Sequence, residues 1–296
     1  MQRKELGKSG VHLPEIGLGT WNYHGGVEPL RTGLEMGALF IDTAESYGTE
    51  TVVAEAVRGM RDRVFLATKV SPDHFRHDDV LKAADNSLRR LRTDHIDLYQ
   101  LHEPNHRIPV EETLGAMEEL VDAGKVRFIG VSNFTVTELQ RAQRAMRKHT
   151  IVSNQVRYNL VDRTIEKDLL RYCEANGIVV IAHTPLARGL PHILDRDPGG
   201  ALVEIAGTLG KTPAQVALNW CLRHRAVVVI PKGNSAEHVA ENCGASDWRL
   251  DPEHVRRLDQ EIRFRRRGRL EIFLRRRLPP GVKNGIRSLV QRLPRG

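Results

Sequence analysis

A parallel α/β barrel of eight strand–helix units is the fold class this sequence predicts, and three observations predict it. Short apolar runs rich in β-branched residues recur eight times, at 15–20, 38–43, 64–70, 96–101, 126–131, 151–156, 178–183 and 227–231. Segments of helical period fill the gaps between them. Runs such as GIVVIAH (177–183) are apolar without alternation, which implies strands buried on both faces in a sheet covered by helices. The rival, a doubly wound open sheet, needs a glycine-rich phosphate turn that opens a helix after its first strand. GLGTWNYHGG (17–26) does not fit that pattern. The expectation is therefore α/β, a (β/α)8 TIM barrel with an N-terminal β-hairpin, over residues 1–261, and a basic, partly amphipathic C-terminal tail over 262–296.

Taken in order, the chain opens with a hairpin turning at Ser9-Gly10, which would close the bottom of the barrel before the first strand enters after Pro14. VVAEAVRG (52–59) reads as the helix between the second and third strands, and DDVLKAADNSLRRL (78–91) as the one between the third and fourth. VEETLGAMEELVDAG (110–124) puts Val110, Leu114, Met117, Leu120 and Val121 on one face, and Gly124 follows as a stop. IEKDLLRYCEANG (165–177) fills the gap before the seventh strand. PAQVALNWCL (213–222) precedes the eighth, opening with a proline whose missing N–H costs nothing there.

Composition narrows the function classes. With 40% hydrophobic and 28% charged residues the chain reads as an ordinary globular protein. Its three cysteines, Cys173, Cys221 and Cys243, form no CxxC pair, so neither a disulfide framework nor a zinc site is indicated. The N-terminal segment lacks the apolar stretch of a signal peptide and no long apolar run follows, so the expected location is the cytoplasm. The formal charge of +8 is concentrated: residues 262–296 hold 12 Lys and Arg against Glu271 alone, whereas the remainder carries 33 basic and 36 acidic residues. In that tail, Leu270, Ile272, Phe273 and Leu274, then Ile286, Leu289, Val290 and Leu293, are flanked by arginines. This pattern suits an anionic membrane surface, which would make the protein peripheral to the membrane, or a protein partner, and equally a solvated or barrel-docked tail. Nucleic acid fits less well because aromatics are nearly absent.

Catalytic groups of such barrels sit at the C-terminal ends of strands. FIDTAESYG (40–48) places Asp42 at the end of the second strand and Tyr47 in the loop beyond; FLATKV places Lys69 at the end of the third, and DLYQLHEP places His102 at the end of the fourth. Singly, each has an ordinary structural reading as a cap, a rim residue or a satisfied polar neighbour. Together they bring an acid, a phenol, an ammonium and an imidazole to one mouth.

The segments GLGTW (17–21), FIDTAESYG (40–48), LATKV (66–70), LYQLHEP (98–104), GKVRFIGVSNF (124–134), SNQVRYN (153–159), PLARG (185–189) and IPKG with the following EN pair (230–242) resemble the aldo-keto reductase superfamily from about Glu5 to Leu258. The resemblance implies reduction of a small aldehyde or ketone by NADPH, with Tyr47 as proton donor, Lys69 and Asp42 tuning it, and His102 polarising the carbonyl. A phenol is a weak acid near neutrality, and an adjacent cation is expected to lower its pKa.

The same resemblance implies a cofactor laid across the barrel mouth over Gly19, Thr20, Trp21 and Asp42. Ser132, Asn133 and Gln155 would hold the nicotinamide carboxamide; the alternative for Ser132 or Asn133 is capping the helix that follows. His183 stands where the family usually places a stacking tyrosine, with Thr184 and Leu186 toward the pyrophosphate. Lys232, with Gly233 and Ser235, would meet a 2′-phosphate, His238 occupies a position where NADP-dependent members often carry arginine, and Glu241 and Asn242 would face the adenine. NADP is favoured, and NAD stays open. Trp21 and Tyr23, beside Tyr47 and His102, would line a shallow, open substrate site. A nucleotide-binding regulatory or partner-binding barrel attached through its basic tail is the competing class, motivated by His183; an isomerase or lyase would need phosphate loops the sequence does not show. No metal site is indicated, and the sequence leaves physiological substrate and oligomeric state open.

Overall fold

A computed structural model describes residues 1–266. The chain enters through an antiparallel hairpin, β1 (Arg3–Glu5) against β2 (His12–Pro14), with Lys4 opposite Leu13. Eight parallel strands follow: β3 (Leu18–Gly19), β4 (Phe40–Asp42), β5 (Phe65–Val70), β6 (Ile96–Leu101), β7 (Val126–Ser132), β8 (Ile151–Arg157), β9 (Val179–His183) and β10 (Val227–Val229). Each pairs with the next in sequence. Ile16 bridges Val229 in parallel, with Gly17 N donating to Val229 O at 2.8 Å and Val229 N to Glu15 O at 2.9 Å, which closes the ring. The predicted barrel is the fold observed.

The strands at the closure, β3 and β10, are shorter than expected. A Cβ on Gly17 would lie 2.5 Å from the Phe40 ring, and one on Gly19 would lie 2.5 Å from Ile230 O, so the ring closes over glycines that bring backbones close together. Pro231 then removes the N–H that would continue β10.

The outer ring comprises α1 (Glu28–Glu35), α2 (Glu50–Ala56), α3 (His77–Leu91), α4 (Val110–Asp122), α5 (Val136–Ala145), α6 (Leu169–Asn176), α7 (Pro191–Leu194), α8 (Ala201–Thr208), α9 (Pro213–Leu222), α10 (Ala236–Cys243) and α11 (Pro252–Glu261). α7 and α8 are additions between β9 and its crossover helix α9. The helix expected over 165–177 is divided: Thr164–Lys167 form a 3-10 turn, Asp168 breaks it at φ −147°, and α6 begins at Leu169. The Thr164 hydroxyl donates to Asp162 Oδ1 at 2.7 Å, a local bond of the kind that competes with helix.

Two apolar layers hold the barrel. One lies between strands and helices, and the other fills the interior with Phe40, Phe65, Leu98, Val152, Val179, Ile181 and Val228. Leu6 and Leu13 of the hairpin join the inner layer, so the hairpin plugs the bottom of the barrel as expected. The three cysteines are free and buried.

Residues 262–266 stay on the barrel. Ile262 is buried, Arg163 N donates to Arg265 O at 3.1 Å, and Arg265 pairs with Asp162 at 3.6 Å. The buried Arg163 guanidinium lies between the rings of Trp220 (4.6 Å) and Phe264 (4.1 Å) and pairs with Asp259 at 2.6 Å. The rest of the expected tail, 267–296, lies outside the described residues. No described helix is long and apolar enough to cross a membrane.

Candidate active site

Strand periodicity explains how the site is built. Side chains two apart share a face, so the interior layer of Phe40, Ala67, Leu98 and Ile181 dictates that Asp42, Lys69, Gln100 and His183 also point inward, one layer higher. Polar groups thus replace apolar ones where the strands reach the mouth.

Lys69, fully buried, donates to Asp42 Oδ1 at 2.5 Å and to Thr43 O at 2.9 Å. The second Asp42 oxygen, Oδ2, accepts from Gln155 Nε2 at 2.7 Å and Gln100 Nε2 at 3.1 Å. Tyr47, on a short 3-10 turn (Glu45–Tyr47), sets its ring centroid 5.0 Å from Lys69 Nζ and its hydroxyl 3.3 Å from His102 Nε2. The two rings meet edge to face at 5.4 Å and 74°. The four predicted side chains therefore converge.

Electrostatics corrects one expectation. Burial raises the Tyr47 pKa above that of an ordinary phenol; Lys69 opposes this and Asp42 adds to it, so the net direction is upward rather than downward. Tyr47 therefore keeps its phenolic proton at neutral pH. For Lys69, burial disfavours the ammonium, but Asp42 and Tyr47 outweigh it and hold the charge on. Burial and the Lys69 charge lower His102 to about 4, so its ring is neutral at physiological pH.

A cavity of about 1350 Å3 opens above these groups, larger than the shallow site expected. Gly19, Thr20, Trp21, Ser132, Asn133, Gln155, His183, Thr184, Leu186 and Lys232 all line it. Neither Ser132 nor Asn133 caps α5. Ser132 Oγ donates to Gln155 O at 2.9 Å, Asn133 takes the left-handed φ of 63° and donates to His102 O at 3.2 Å, and Thr135 caps instead through a capping box with Glu138. The T-x-x-E spacing at 135–138 was the signal for it. His183 places Nε2 3.4 Å from Asn133 Oδ1 and Nδ1 2.9 Å from Thr184 Oγ1.

Other predicted residues lie elsewhere. Tyr23 is buried, with its hydroxyl donating to Gly26 O at 2.8 Å, and does not line the cavity: its ring is drawn into the layer beneath α1. Trp21 is 53% exposed at the rim, with the Arg188 guanidinium 5.5 Å from its ring centroid. Gly233, Ser235, His238, Glu241 and Asn242 lie on the β10 loop and α10, beyond the cavity wall. Ser235 caps α10 by accepting from His238 N at 3.2 Å, His238 is exposed, and Asn242 is buried. Lys232 alone of that group reaches the cavity, its Nζ donating to Asn22 O at 3.0 Å. Gln100, bonded to Asp42, and Arg188, on the cavity wall, join the residues that the sequence motifs point to. The inward parity of a glutamine in an apolar strand marks Gln100; nothing in the sequence alone marks Arg188 beyond its place in PLARG.

A buried ion pair beneath a phenol and a neutral imidazole, open to a large cavity, equips the site to give a proton to an oxygen that gains charge. The model of the aldo/keto reductase family matches residues 15–263. The chain belongs to the aldo/keto reductase family. Among its relatives, the methylglyoxal reductase YeaE of Escherichia coli is 38% identical over 88% of this chain and 95% of its own. The glyoxal reductase of Bacillus subtilis is 34% identical over 85% and 90%. A thermostable aldo-keto reductase crystallised with the inhibitor epalrestat superposes with a TM-score of 0.83 at 41% identity, covering 88% of this chain and 99% of that one. An aldo-keto reductase from Klebsiella pneumoniae in complex with NADPH gives 0.81 at 40% identity, covering 90% and 98%. The family assignment accounts for a barrel that carries acid, phenol, ammonium and imidazole at the ends of neighbouring strands.

Proposed function

We propose that this aldo/keto reductase uses NADPH to reduce small aldehydes and ketones, short dicarbonyls among them, with Tyr47 as the proton donor. The observation that carries the reading is the placement of the Tyr47 hydroxyl and His102 Nε2 3.3 Å apart at the cavity, above the Lys69–Asp42 pair. An oxygen seated between them takes a proton from Tyr47 while the neutral His102 ring orients it by a hydrogen bond. Lys69 stabilises the phenolate left behind, and Asp42 keeps the ammonium aimed at it.

The nicotinamide nucleotide, when bound, supplies the hydride. The donor set fits it: Gln155, whose Nε2 is committed to Asp42, offers Oε1 to a carboxamide, and Ser132 and Asn133 are short neutral groups beside it. Lys232 is exposed at the far side of the cavity, suited to a phosphate, and solved relatives in complex with NADP or NADPH support that choice of cofactor. Two relatives named for methylglyoxal and glyoxal support short dicarbonyls as the substrate class. The test is loss of NADPH absorbance with methylglyoxal, glyoxal and a panel of small aldehydes, for wild type and Tyr47→Phe. Equal turnover by the two proteins would remove Tyr47 from the proposed role; absence of turnover on every carbonyl would remove the substrate class.

A further inference from the structure

Two amides from strands that flank β7 converge on a single oxygen. Gln155, on β8, and Gln100, on β6, both donate through Nε2 to Asp42 Oδ2, at 2.7 and 3.1 Å, while Lys69 takes Oδ1. Gln155 lines the cavity and has a separate reason to be polar; Gln100 does not line it. Gln100 is fully buried, and its carbonyl Oε1 has no hydrogen-bond partner among the described residues. A leucine of similar size would fill the same space without stranding that acceptor, so space filling alone gives no reason for an amide at this position. What the amide does make is a hydrogen bond to the carboxylate that holds Lys69.

We propose that Gln100 is a positioning residue for the reduction: by donating to Asp42 Oδ2 it fixes the carboxylate plane and shares its charge, which sets how much of the Lys69 charge is left to act on Tyr47. The inference rests on the reading of Tyr47 as proton donor. Without the Gln100 bond, Asp42 keeps more of its charge for Lys69 and for the phenol above. The Asp42 field already disfavours the phenolate, and an undamped carboxylate disfavours it further. Tyr47 would then give up its proton less readily.

The experiment compares wild type, Gln100→Leu, Gln100→Met and Gln155→Met, with Tyr47→Phe as control. Its readouts are NADPH affinity by fluorescence titration, melting temperature, and the pH profile of kcat for carbonyl reduction and for alcohol oxidation with NADP. Gln100→Leu is expected to bind NADPH as wild type does and to melt no lower. Its kcat for reduction should fall several-fold with little change in KM, and the rising limb of alcohol oxidation, which needs the phenolate, should move to higher pH. Gln155→Met should lose cofactor affinity as well. An unmoved pH profile in Gln100→Leu overturns the inference, as does loss of NADPH binding in step with kcat in both Gln100 variants, which would make Gln100 a packing residue. Gln100→Met follows the shape of the glutamine and decides the matter if leucine does not fold. If Tyr47→Phe is fully active, the reading of Tyr47 has failed; if it is inactive and Gln100→Leu has the wild-type profile, only the role of Gln100 has failed.

Discussion

Tyr47, Lys69, Asp42 and His102 lie close enough, and out of water enough, for each to feel its neighbours. Replacing Tyr47 with Phe removes the proposed proton donor and leaves the cavity shape intact, so kcat should fall by about 10²- to 10⁴-fold with NADPH affinity unchanged. A stopped-flow binding trace alongside steady-state rates separates the two. His102 makes a prediction about pH. Its pKa is about 4 in the folded chain against 6.5 for an ordinary histidine, so between those values the unfolded chain takes up a proton that the folded chain does not. Stability should therefore be complete above pH ~6.5 and decline toward pH ~4, by up to roughly 2–3 kcal/mol from this residue. Urea midpoints at pH 7 and pH 4.5 should converge in His102→Gln; an unchanged pH slope in that variant would contradict the assignment. At the other end of the cleft, Lys232→Ala should weaken NADPH by roughly tenfold and leave NADH nearly untouched, because only the former carries the phosphate the ammonium would meet. An equal fall for both nucleotides in a paired titration would refute the phosphate role.

At the level of elements, strands and hairpin do separate jobs. The hairpin contributes Leu6 and Leu13 to the interior layer and no residue to the cavity, so Leu13→Ala should cost about 2–5 kcal/mol of stability while leaving kcat/KM as it was. Chemical denaturation and an activity assay on the same sample check both halves. This division also explains what could be read in advance. Asp42, Lys69 and His102 were legible because a charged or polar side chain at the end of an apolar strand has one natural destination in a barrel. The direction of the Tyr47 shift was not, since it depends on whether burial outweighs the Lys69 charge, and burial is a property of the assembled mouth. Tyr23 misled for a similar reason: it lies in the loop after the first strand near Trp21, and only the fold shows its ring turned beneath α1. Ser132 and Asn133 matched the composition of a cap, but the chain reaches α5 two residues later, so Thr135 takes that task.

For the whole molecule the question is where the barrel ends. Basic composition divides the chain after residue 261, yet the packing continues to Arg266: Ile262 is buried, Phe264 covers the Arg163 guanidinium, and Arg265 bonds along the loop that carries Asp162 and Thr164, both on the cavity wall. A chain ended at Glu261 should therefore lose about 2–4 kcal/mol, from the burial of Ile262 and half of Phe264, and should loosen that wall, raising KM for the carbonyl. A chain ended at Arg266 keeps those contacts and should match the full protein in melting temperature and turnover. The second truncation also isolates the charge. Residues 1–266 carry 36 basic and 36 acidic residues, so the segment removed accounts for the entire formal charge of +8. If the basic tail attaches the protein to anionic surfaces, the full chain sediments with phosphatidylserine vesicles at low salt and the chain ended at Arg266 does not, with reductase activity equal in both. Sedimentation of both proteins alike would place the attachment on the barrel, and sedimentation of neither would leave the tail to a protein partner or to the barrel itself.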